Sequence, residues 1–327
     1  MSPEFDLPAP ATYFPLARGR YEVTPGLHKL GHDFGNGVQD ARLLQIDAQW
    51  AAYRAAKLRA RAERLDKYVC DANLNPAARQ AAAFQFVQRL LKEYPDHFRL
   101  EDLPGNAGVL HCALSGERLH LDEDFNLLGV EGGEVEPAYV DTLDALACQI
   151  QEDFAITEFD GDVDRLCYLH LCFPNHWAAE EKIGKDFAAV HAPVPHFERI
   201  AAQRGSLLAT LASKGPFVRF AWGVATDTRL NHHPQAPQDH PDPAAWSGWA
   251  FDPAAPRLYL RVERQTLSPL PRAQAFLFTI RTYLEDVATF STEHRAALCA
   301  AILSMSEASL GYKGLAAQRA AILDWLD

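Results

Sequence analysis

Three segments in the second half of the 327-residue chain concentrate the side chains that could do chemistry: residues 171–198, 219–224 and 260–284. In the first segment, His191 stands directly before Ala192-Pro193-Val194-Pro195, whose two prolines fix φ and hold the backbone extended. A rigid backbone suits a metal ligand, and the imidazole nitrogen is a common one. The alternative is a histidine that only caps a chain reversal, and the spacing leaves both interpretations open.

The third segment carries four strong polar side chains within five positions. These are Arg261, Glu263, Arg264 and Gln265, and Arg281 follows on the next strand candidate. Charged strand residues usually face solvent or pair with each other across strands. Arginine forks also bind carboxylates, however, and a carboxylate beside a pocket can hold an alkylammonium ion. The segment therefore permits either a solvated strand face or a binding site.

A histidine-rich loop offers a second place for a metal. Five prolines between Pro234 and Pro253 exclude regular structure from this stretch. A flexible loop preorganises ligands poorly, so this site is the weaker metal hypothesis. Its candidate ligands are His232, His233, Asp239, His240 and Asp242.

Other motifs exclude several classes of function. The six cysteines are scattered and form no CxxC pair, which excludes zinc-ribbon and iron–sulfur signatures. The apolar neighbours of Cys172 would raise the pKa of its thiol and disfavour a thiolate ligand. No GxGxxG opens a helix, and the patterns GxxxxGK[ST], HExxH and GxSxG do not occur. Trp177 and Trp222 fit either a packed core or the lining of a cofactor site.

Predicted helices lie on both sides of a β-rich middle. Residues 1–38 are rich in Pro and Gly and are predicted to form an extended arm. Residues 40–67 carry apolar side chains at helical spacing and predict a long amphipathic helix. A second helix is predicted to begin at Asn75, an N-cap followed by Pro76, so that the two helices form an N-terminal hairpin. Further helices are predicted from Ser291 to the C-terminus.

The β-rich middle predicts five to seven strands. GVLHCAL pairs with ERLHLDE, and DFAITEFD pairs with DRLCYLHLCF through the turn Asp160-Gly161-Asp162. Three later runs, FVRFAWGVA, RLYLRVERQTL and AFLFTIRTYL, complete the set. These mostly hairpin-linked strands predict one antiparallel sheet. The predicted fold class is therefore α+β, with a single domain over residues 39–327 behind the arm.

The net charge of the chain excludes some classes of binding partner. Forty-three acidic and 31 basic side chains give a formal net charge of −12, which repels phosphate backbones and anionic lipid. Neither nucleic acid nor a membrane is an expected partner. The first residues lack a basic region followed by an apolar run, and no window reaches the roughly 18 apolar residues of a membrane span. We therefore expect a cytoplasmic protein.

The same three segments resemble the heme-dependent oxidative N-demethylase family, which includes the heme subunit of dimethylamine monooxygenase. The family pattern is a CFPSxW run that leads into KxGxxxxxIHxPVP. This chain has CFPNHW at 172–177, then Lys182-Ile183-Gly184 and Val190-His191-Ala192-Pro193-Val194-Pro195. The resemblance continues through RVERQTL (261–267) and LPRAQAFLFTIRTYL (270–284), and more weakly through QEDF (151–154) and PGLHKL (25–30). It spans roughly residues 25–290 and departs at Asn175, His176 and Ala221.

The resemblance implies a fold, a cofactor and a reaction. It implies a PAS-like antiparallel sheet with flanking helices that encloses one heme b. The implied reaction is the oxidative removal of a methyl group from a small secondary amine with dioxygen, which releases formaldehyde and a primary amine. Because this chain has no flavin or iron–sulfur motif, separate reductase partners would supply the electrons.

The resemblance also assigns roles to residues. It makes His191 the iron ligand, with His170 and His176 as competing candidates, and the amine is expected to be held by Glu263 or another acid of the pocket. The remaining expected catalytic side chains are Arg264 and Gln265. The remaining expected cofactor-binding side chains are Arg261, Arg281, Trp222 and Lys182. A non-catalytic heme or ligand sensor is the alternative, since a PAS-like fold serves sensing as readily as catalysis.

Overall fold

The computed structural model describes residues 5–102, 108–160, 163–243 and 245–327. Its described part has mixed helices and strands with antiparallel sheets, which confirms the predicted α+β class. In chain order the strands are β1 (His28–Lys29), β2 (Val69–Asp71), β3 (Phe98–Asp102), β4 (Gly108–Cys112), β5 (Glu117–Leu121), β6 (Leu127–Glu131), β7 (Asp153–Asp160), β8 (Val163–His170), β9 (Phe217–Ala225), β10 (Tyr259–Leu270) and β11 (Ala275–Asp286).

Two sheets form, so the prediction of one sheet was wrong. The larger sheet has the order β1-β9-β10-β11-β7-β8-β2, and the smaller one has the order β3-β4-β5-β6. The four strands of the smaller sheet follow one another in the chain and pair only with their sequence neighbours, so this meander closes as a sheet of its own. The turn residues Gly161 and Asp162, between β7 and β8, lie outside the described residues.

Helices cover both faces of the larger sheet. None of the described helices is both long enough and apolar enough to cross a bilayer. The helices are α1 (Trp50–Tyr68), α2 (Pro76–Glu93), α3 (Thr142–Ala147), α4 (Ala179–Lys182), α5 (Phe187–His191), α6 (Glu198–Ala201), α7 (Arg204–Ser213), α8 (Thr292–Leu303), α9 (Glu307–Tyr312) and α10 (Arg319–Leu326).

The first long helix begins ten residues later than its sequence pattern predicts. Residues 43–47 are apolar enough for a helix, yet their backbone N–H groups bond to side chains. Glu93 accepts from Leu43 and Leu44 at 3.0 and 3.1 Å, and Gln151 accepts from Asp47 at 2.8 Å. Because these donors are already satisfied by distant side chains, the segment stays irregular and the helix begins at Trp50.

The N-terminal helices and the arm each join the sheet. α1 and α2 are separated by β2, which pairs with β8 at the sheet edge. The arm reaches the opposite edge, where β1 pairs with β9, and it buries Tyr13 and Leu16 among residues of α8 and α10. An N-cap bond from Ala77 N–H to the Asn75 side chain at 2.9 Å confirms the predicted start of α2.

Strand alternation gives the larger sheet two distinct faces at β9, β10 and β11. Glu263 lies opposite Ala221 and Thr282, whereas its neighbour Arg264 lies opposite Phe220 and Arg281. We call the face that carries Glu263 the site face and the face that carries Arg264 the core face. α5 and α7 pack on the site face, while α2 and α8 to α10 pack on the core face.

Candidate functional site

The last residue of α5, His191, has a fixed ring, and within the described part of the chain one of its nitrogens makes no hydrogen bond. Its Nδ1 donates to the Phe187 carbonyl at 2.8 Å, and because a carbonyl only accepts, Nδ1 carries the proton and Nε2 keeps a lone pair. The ring stacks on Phe197 with centroids 4.7 Å apart and planes 11° apart. Lys182 Nζ donates to the Val190 carbonyl at 2.5 Å and so holds the preceding peptide. This is the orientation that a metal-binding imidazole needs.

The surroundings keep His191 neutral. Burial is the main cause that lowers the pKa of His191 to about 4, and the charges of Arg219 and Lys182 act in the same direction against the hydrogen bond to Phe187. Burial also lowers the pKa of Lys182. At neutral pH the imidazole is therefore deprotonated at Nε2, which is the form that binds a metal.

Polar side chains of β9 and β10 meet on the site face. Gln265 lies directly opposite Arg219 and donates to Glu263 Oε2 at 3.0 Å. Arg261 Nε stands 3.9 Å from Glu263 Oε1, while its two terminal nitrogens donate to the carbonyls of Leu230 and Phe173 at 2.9 and 2.7 Å. Burial lowers the pKa of Arg261 and outweighs the charge of Glu263. Glu263 is therefore a mostly buried carboxylate at the centre of this polar group.

Two more cations border Glu263. Arg219 is half-buried, its pKa is lowered by burial against the charge of Glu263, and its Nε has no hydrogen-bond partner among the described residues. Lys313, just after α9, donates from Nζ to the Trp222 carbonyl at 2.6 Å. Burial lowers the pKa of Lys313 to about 8, against the charge of Glu263 and together with that of Arg219. Three cations thus surround one carboxylate.

An apolar patch lies beside the polar group on the same side of the sheet. Its buried part includes Ile280 of β11 and Leu166 and Leu169 of β8, and it is flanked by side chains that remain partly exposed. The partly exposed members include Trp177, Val190 and Phe278. Val190 directly precedes His191, so the ligand candidate stands at this patch. A flat apolar group with anionic ends could pack on the apolar patch and pair with the neighbouring cations.

The structure does not bring Arg264, Arg281 and Trp222 to the site face. Arg264 donates to the carbonyls of Arg42 and Leu43 at 2.7 and 3.4 Å, although its Nε has no partner among the described residues. Arg281 donates to Asp47 Oδ2 at 2.6 Å. The Trp222 side chain packs with α8 to α10, and only its carbonyl meets Lys313. All three are core-face residues.

His170 and His176, the other two candidates for the metal ligand, differ in whether a ring nitrogen is available to bind a metal. His170 is fully buried, with Nε2 3.1 Å from Asp144 Oδ1 and Nδ1 3.8 Å from Cys172 Sγ, so both ring nitrogens are engaged. His176 has φ of +63° and stacks on His232, with ring centroids 5.4 Å apart. Its Nε2 has no partner among the described residues, and burial lowers its pKa to about 3. His176 alone remains a competitor of His191.

The histidine-rich loop does not converge on a metal site. His232 Nε2 meets Asp227 at 2.9 Å, His233 meets Glu180 at 3.3 Å, and His240 packs against Trp246. Over residues 5–102, 108–160, 163–243 and 245–327, groups of three close ligand atoms occur at His170, which shares one with Asp144 and Cys148 and another with Asp153 and Cys172. There Arg61 and Lys57 already neutralise Asp144 and Asp153.

Sequence reasoning missed Arg219 and Lys313. Arg219 lies in the segment RFAWGV, and its position two residues before Ala221 on a strand would have placed it beside Glu263 had the register been known. Lys313 follows a short helix far along the chain, and no local pattern marks it. Its place at the site depends on how α9 packs against β9.

An open cleft of about 410 Å³ approaches Lys313 from the surface. The Tyr21 ring in its wall lies 5.8 Å from Lys313 Nζ, and Ser309 in its wall accepts a hydrogen bond from the Lys313 backbone at 3.0 Å. The other wall residues are Arg20, Glu22, Val23, Thr24, His196, Glu198, Arg199, Ser304 and Ser306.

Comparison with protein families gives one match over most of the chain. Residues 36–323 match the family model described as "Haem-dependent oxidative N-demethylase, alpha subunit-like". The matched range contains His191, Glu263 and their neighbours on the site face, and it extends past Lys313.

Proposed function

The chain belongs to the heme-dependent oxidative N-demethylase alpha subunit-like family, and from this premise we propose that it is the heme-binding component of a monooxygenase. Its reaction is the oxidative N-demethylation of a small secondary amine with dioxygen, which releases formaldehyde. The observation that carries this proposal is the neutral imidazole of His191, whose Nε2 makes no hydrogen bond to the described residues, at the border between an apolar patch and a group of cations.

The side chains present fit heme b by their apolar character and by their charge. Arg219, Arg261 and Lys313 around Glu263 leave an excess of two positive charges, which the two propionates of a heme would neutralise. The Nε atoms of Arg219 and Arg261 lack hydrogen-bond partners among the described residues and would hold these carboxylates. The apolar patch would cover the macrocycle, and His191 would bind the iron through Nε2.

Each residue of the site then has one task. The bound heme would activate dioxygen with two electrons from flavin- and iron–sulfur-containing reductase partners. Lys182 holds the peptide before His191, and the Phe187 carbonyl fixes the ring. Glu263 holds the ammonium group of the substrate, and Gln265 fixes the carboxylate that does so.

Other expectations remain part of the proposal. We assign Arg264 and Arg281 to support of the site strands from the core face, because their guanidinium groups already bind backbone carbonyls and Asp47. Trp222 acts in the same supporting way through its packing. A cytoplasmic location, a PAS-like core and a single domain over residues 39–327 behind the arm complete the proposal.

The test is a titration of the purified chain with hemin, followed by absorbance. A sharp Soret band that shifts on reduction is expected, and His191→Ala should lose it or alter it strongly. His240→Ala, in the histidine-rich loop, is the matched control and should bind hemin as the unsubstituted chain does. A spectrum that hemin leaves featureless would contradict the proposal.

A second experiment on the same purified chain distinguishes an enzyme from a sensor. Dimethylamine should change the heme spectrum of the unsubstituted chain and should do so far less with Glu263→Gln, because the neutral amide cannot pair with an ammonium ion. Formaldehyde should then appear when dioxygen and an electron-transfer pair are supplied. Heme binding without amine binding or formaldehyde would favour the non-catalytic sensor.

A further inference from the structure

The proposed reaction consumes protons, and this requirement singles out one partly buried side chain. For dimethylamine, one dioxygen, two electrons and two protons give methylamine, formaldehyde and water. The electrons come from the reductase partners, and one oxygen atom leaves as water. Since the site is largely buried, a side chain within it has to hand over the protons. This step rests on the proposed function.

Most titratable groups near Glu263 cannot give up a proton near neutral pH. Arginine stays protonated, which excludes Arg219 and Arg261. His176 is already deprotonated, since burial lowers its pKa to about 3. Burial raises the pKa of Tyr312 to about 12, so its hydroxyl holds its proton. Lys313 differs because its ammonium group is protonated at neutral pH and loses its proton at about pH 8.

The backbone fixes Lys313 at this place. Its Nζ donates to the Trp222 carbonyl of β9 at 2.6 Å. The next residue, Gly314, has φ of +69°, and a Cβ there would stand 2.1 Å from the Trp249 ring, so only glycine permits this turn. Trp249 in turn lies 4.0 Å from His176 by ring centroids. The turn after Lys313 is thus fixed against Trp249, and the ammonium is held at the backbone of β9.

Groups from several elements face Lys313 and set its protonation. Burial favours the neutral amine, Glu263 favours the ammonium, and Arg219 opposes it. Tyr21 of the arm and Tyr312 of α9 stand with ring centroids 5.8 and 5.7 Å from Nζ. Burial outweighs the charge of Glu263, so the pKa of Lys313 lies at about 8, close enough to neutral pH for one amine to gain and lose a proton at little cost.

Protons can return to Lys313 from solvent. The open cleft of about 410 Å³ has Tyr21 and Ser309 in its wall. Both residues contact Lys313, through the ring and through a backbone hydrogen bond. Water in this cleft therefore comes within one side chain of the amine, on the arm side of the sheet.

We propose that Lys313 is the proton donor of the site, placed between the solvent cleft and Glu263. In each delivery its N–H bond breaks, the proton passes to oxygen that derives from dioxygen, and the amine takes another proton from water in the cleft. Two deliveries in each turnover supply the two protons of the balanced reaction.

The experiment compares Lys313→Arg and Lys313→Met with the unsubstituted heme-loaded chain. Arginine keeps the positive charge and cannot release a proton, whereas methionine removes both properties at similar size. The first readout is the heme reduction potential between pH 7 and 9. It should fall with rising pH in the unsubstituted chain, and it should be flat across this range in both variants.

The second readout is formaldehyde formation from dimethylamine with an electron-transfer pair. The unsubstituted chain should lose rate as the pH rises through about 8, since the ammonium is the active form. Both variants should be slower at pH 7 by about 100-fold or more, without this pH limb. Lys313→Arg should still bind hemin like the unsubstituted chain, and Lys313→Met should bind it several-fold more weakly.

Two results would overturn the inference. If Lys313→Arg keeps both the rate and the pH dependence, Lys313 supplies charge alone. If the unsubstituted chain binds no heme, the proposed function falls and this inference falls with it. Thermal unfolding of each variant checks the fold, and Lys313→Arg still decides between charge and proton transfer if Lys313→Met is unstable.

Discussion

Arg281 and Arg219 lie on opposite faces of the same sheet, and their surroundings shift the pKa of the two guanidinium groups in opposite directions. On the core face, burial opposes the charge of Arg281, yet Tyr53, Tyr283, Asp47 and Glu152 together raise its pKa. All three of its nitrogens donate hydrogen bonds. On the site face, burial lowers the pKa of Arg219, and its Nε has no partner among the described residues.

This difference separates structural charges from functional ones. A buried charge with complete partners holds the fold together, and its replacement affects stability first. A buried charge with incomplete partners is costly unless something else supplies the partner. On the core face, the Nε of Arg264 also lacks a partner among the described residues, but its other two nitrogens bind backbone carbonyls. On the site face, three cations surround one carboxylate beside His191, which is why we place the ligand there.

The largest loss of stability is expected when the charged partner of a core-face arginine is removed. Asp47→Ala would leave the buried Arg281 without its carboxylate, and we expect the free energy of unfolding to fall by about 3–5 kcal/mol. Urea unfolding of the heme-free chain measures it. Arg219→Met, on the site face, removes a poorly paired charge; it is the matched comparison and should cost less than about 1 kcal/mol. Equal losses would erase the distinction between the faces.

A smaller effect is expected from Arg219→Met. Because this arginine is poorly paired in the protein alone, the free energy of unfolding should change by no more than about 1 kcal/mol. Affinity for hemin should fall by about 10- to 100-fold, since a charged hydrogen bond to a propionate would be lost. Arg118→Met, at an exposed arginine of the small sheet, should change neither quantity. A stability loss without an affinity loss would place Arg219 among the structural charges.

The smallest expected effect is a change of stability with pH. The pKa of His191 is about 4 in the folded chain and 6.5 as a free side chain, so between these values the unfolded chain binds more protons. Stability should therefore fall as the pH falls from 6.5 to 4, by about 1 kcal/mol after discounting for solvent at a half-buried ring. His191→Leu should lack this part of the slope, which unfolding at a series of pH values would show.

Asp144, packed under the core face, should respond in a lower pH range. Its pKa is about 2, because hydrogen bonds and charges of His170 and Arg61 overcome its burial. Its contribution is present above pH 3.8 and is lost as the pH falls through 2. If His191→Leu also changed the loss of stability below pH 3.8, the two regions would not titrate independently.

The sequence predicts more of the strands than of the site. β10 and β11 are found from their apolar alternation, and the same alternation separates Glu263 from Arg264, because consecutive strand residues point to opposite faces. The face of Arg281 depends on how β11 pairs with β10. That register depends on the turn and the surrounding packing, so a single strand does not reveal it.

Long-range contacts explain the remaining differences. The irregular segment 43–47 is held by Glu93 and Gln151, whose positions are known only after the chain has folded. The histidine-rich loop looks like a metal cluster in one dimension, yet His233 and His240 turn to different partners. Lys313 carries no local signal, because its role depends on a turn that packs against β9.

The wide spacing of the site residues along the chain affects when the protein can mature. During synthesis, His191 leaves the ribosome about 120 residues before Lys313. The strands with Arg219 and Glu263 emerge between them, and β9 to β11 pair only after all three exist. A nascent chain therefore presents the proposed iron ligand before the charges that are proposed to balance the cofactor. Cofactor uptake would then follow the synthesis and pairing of the strands that carry these charges.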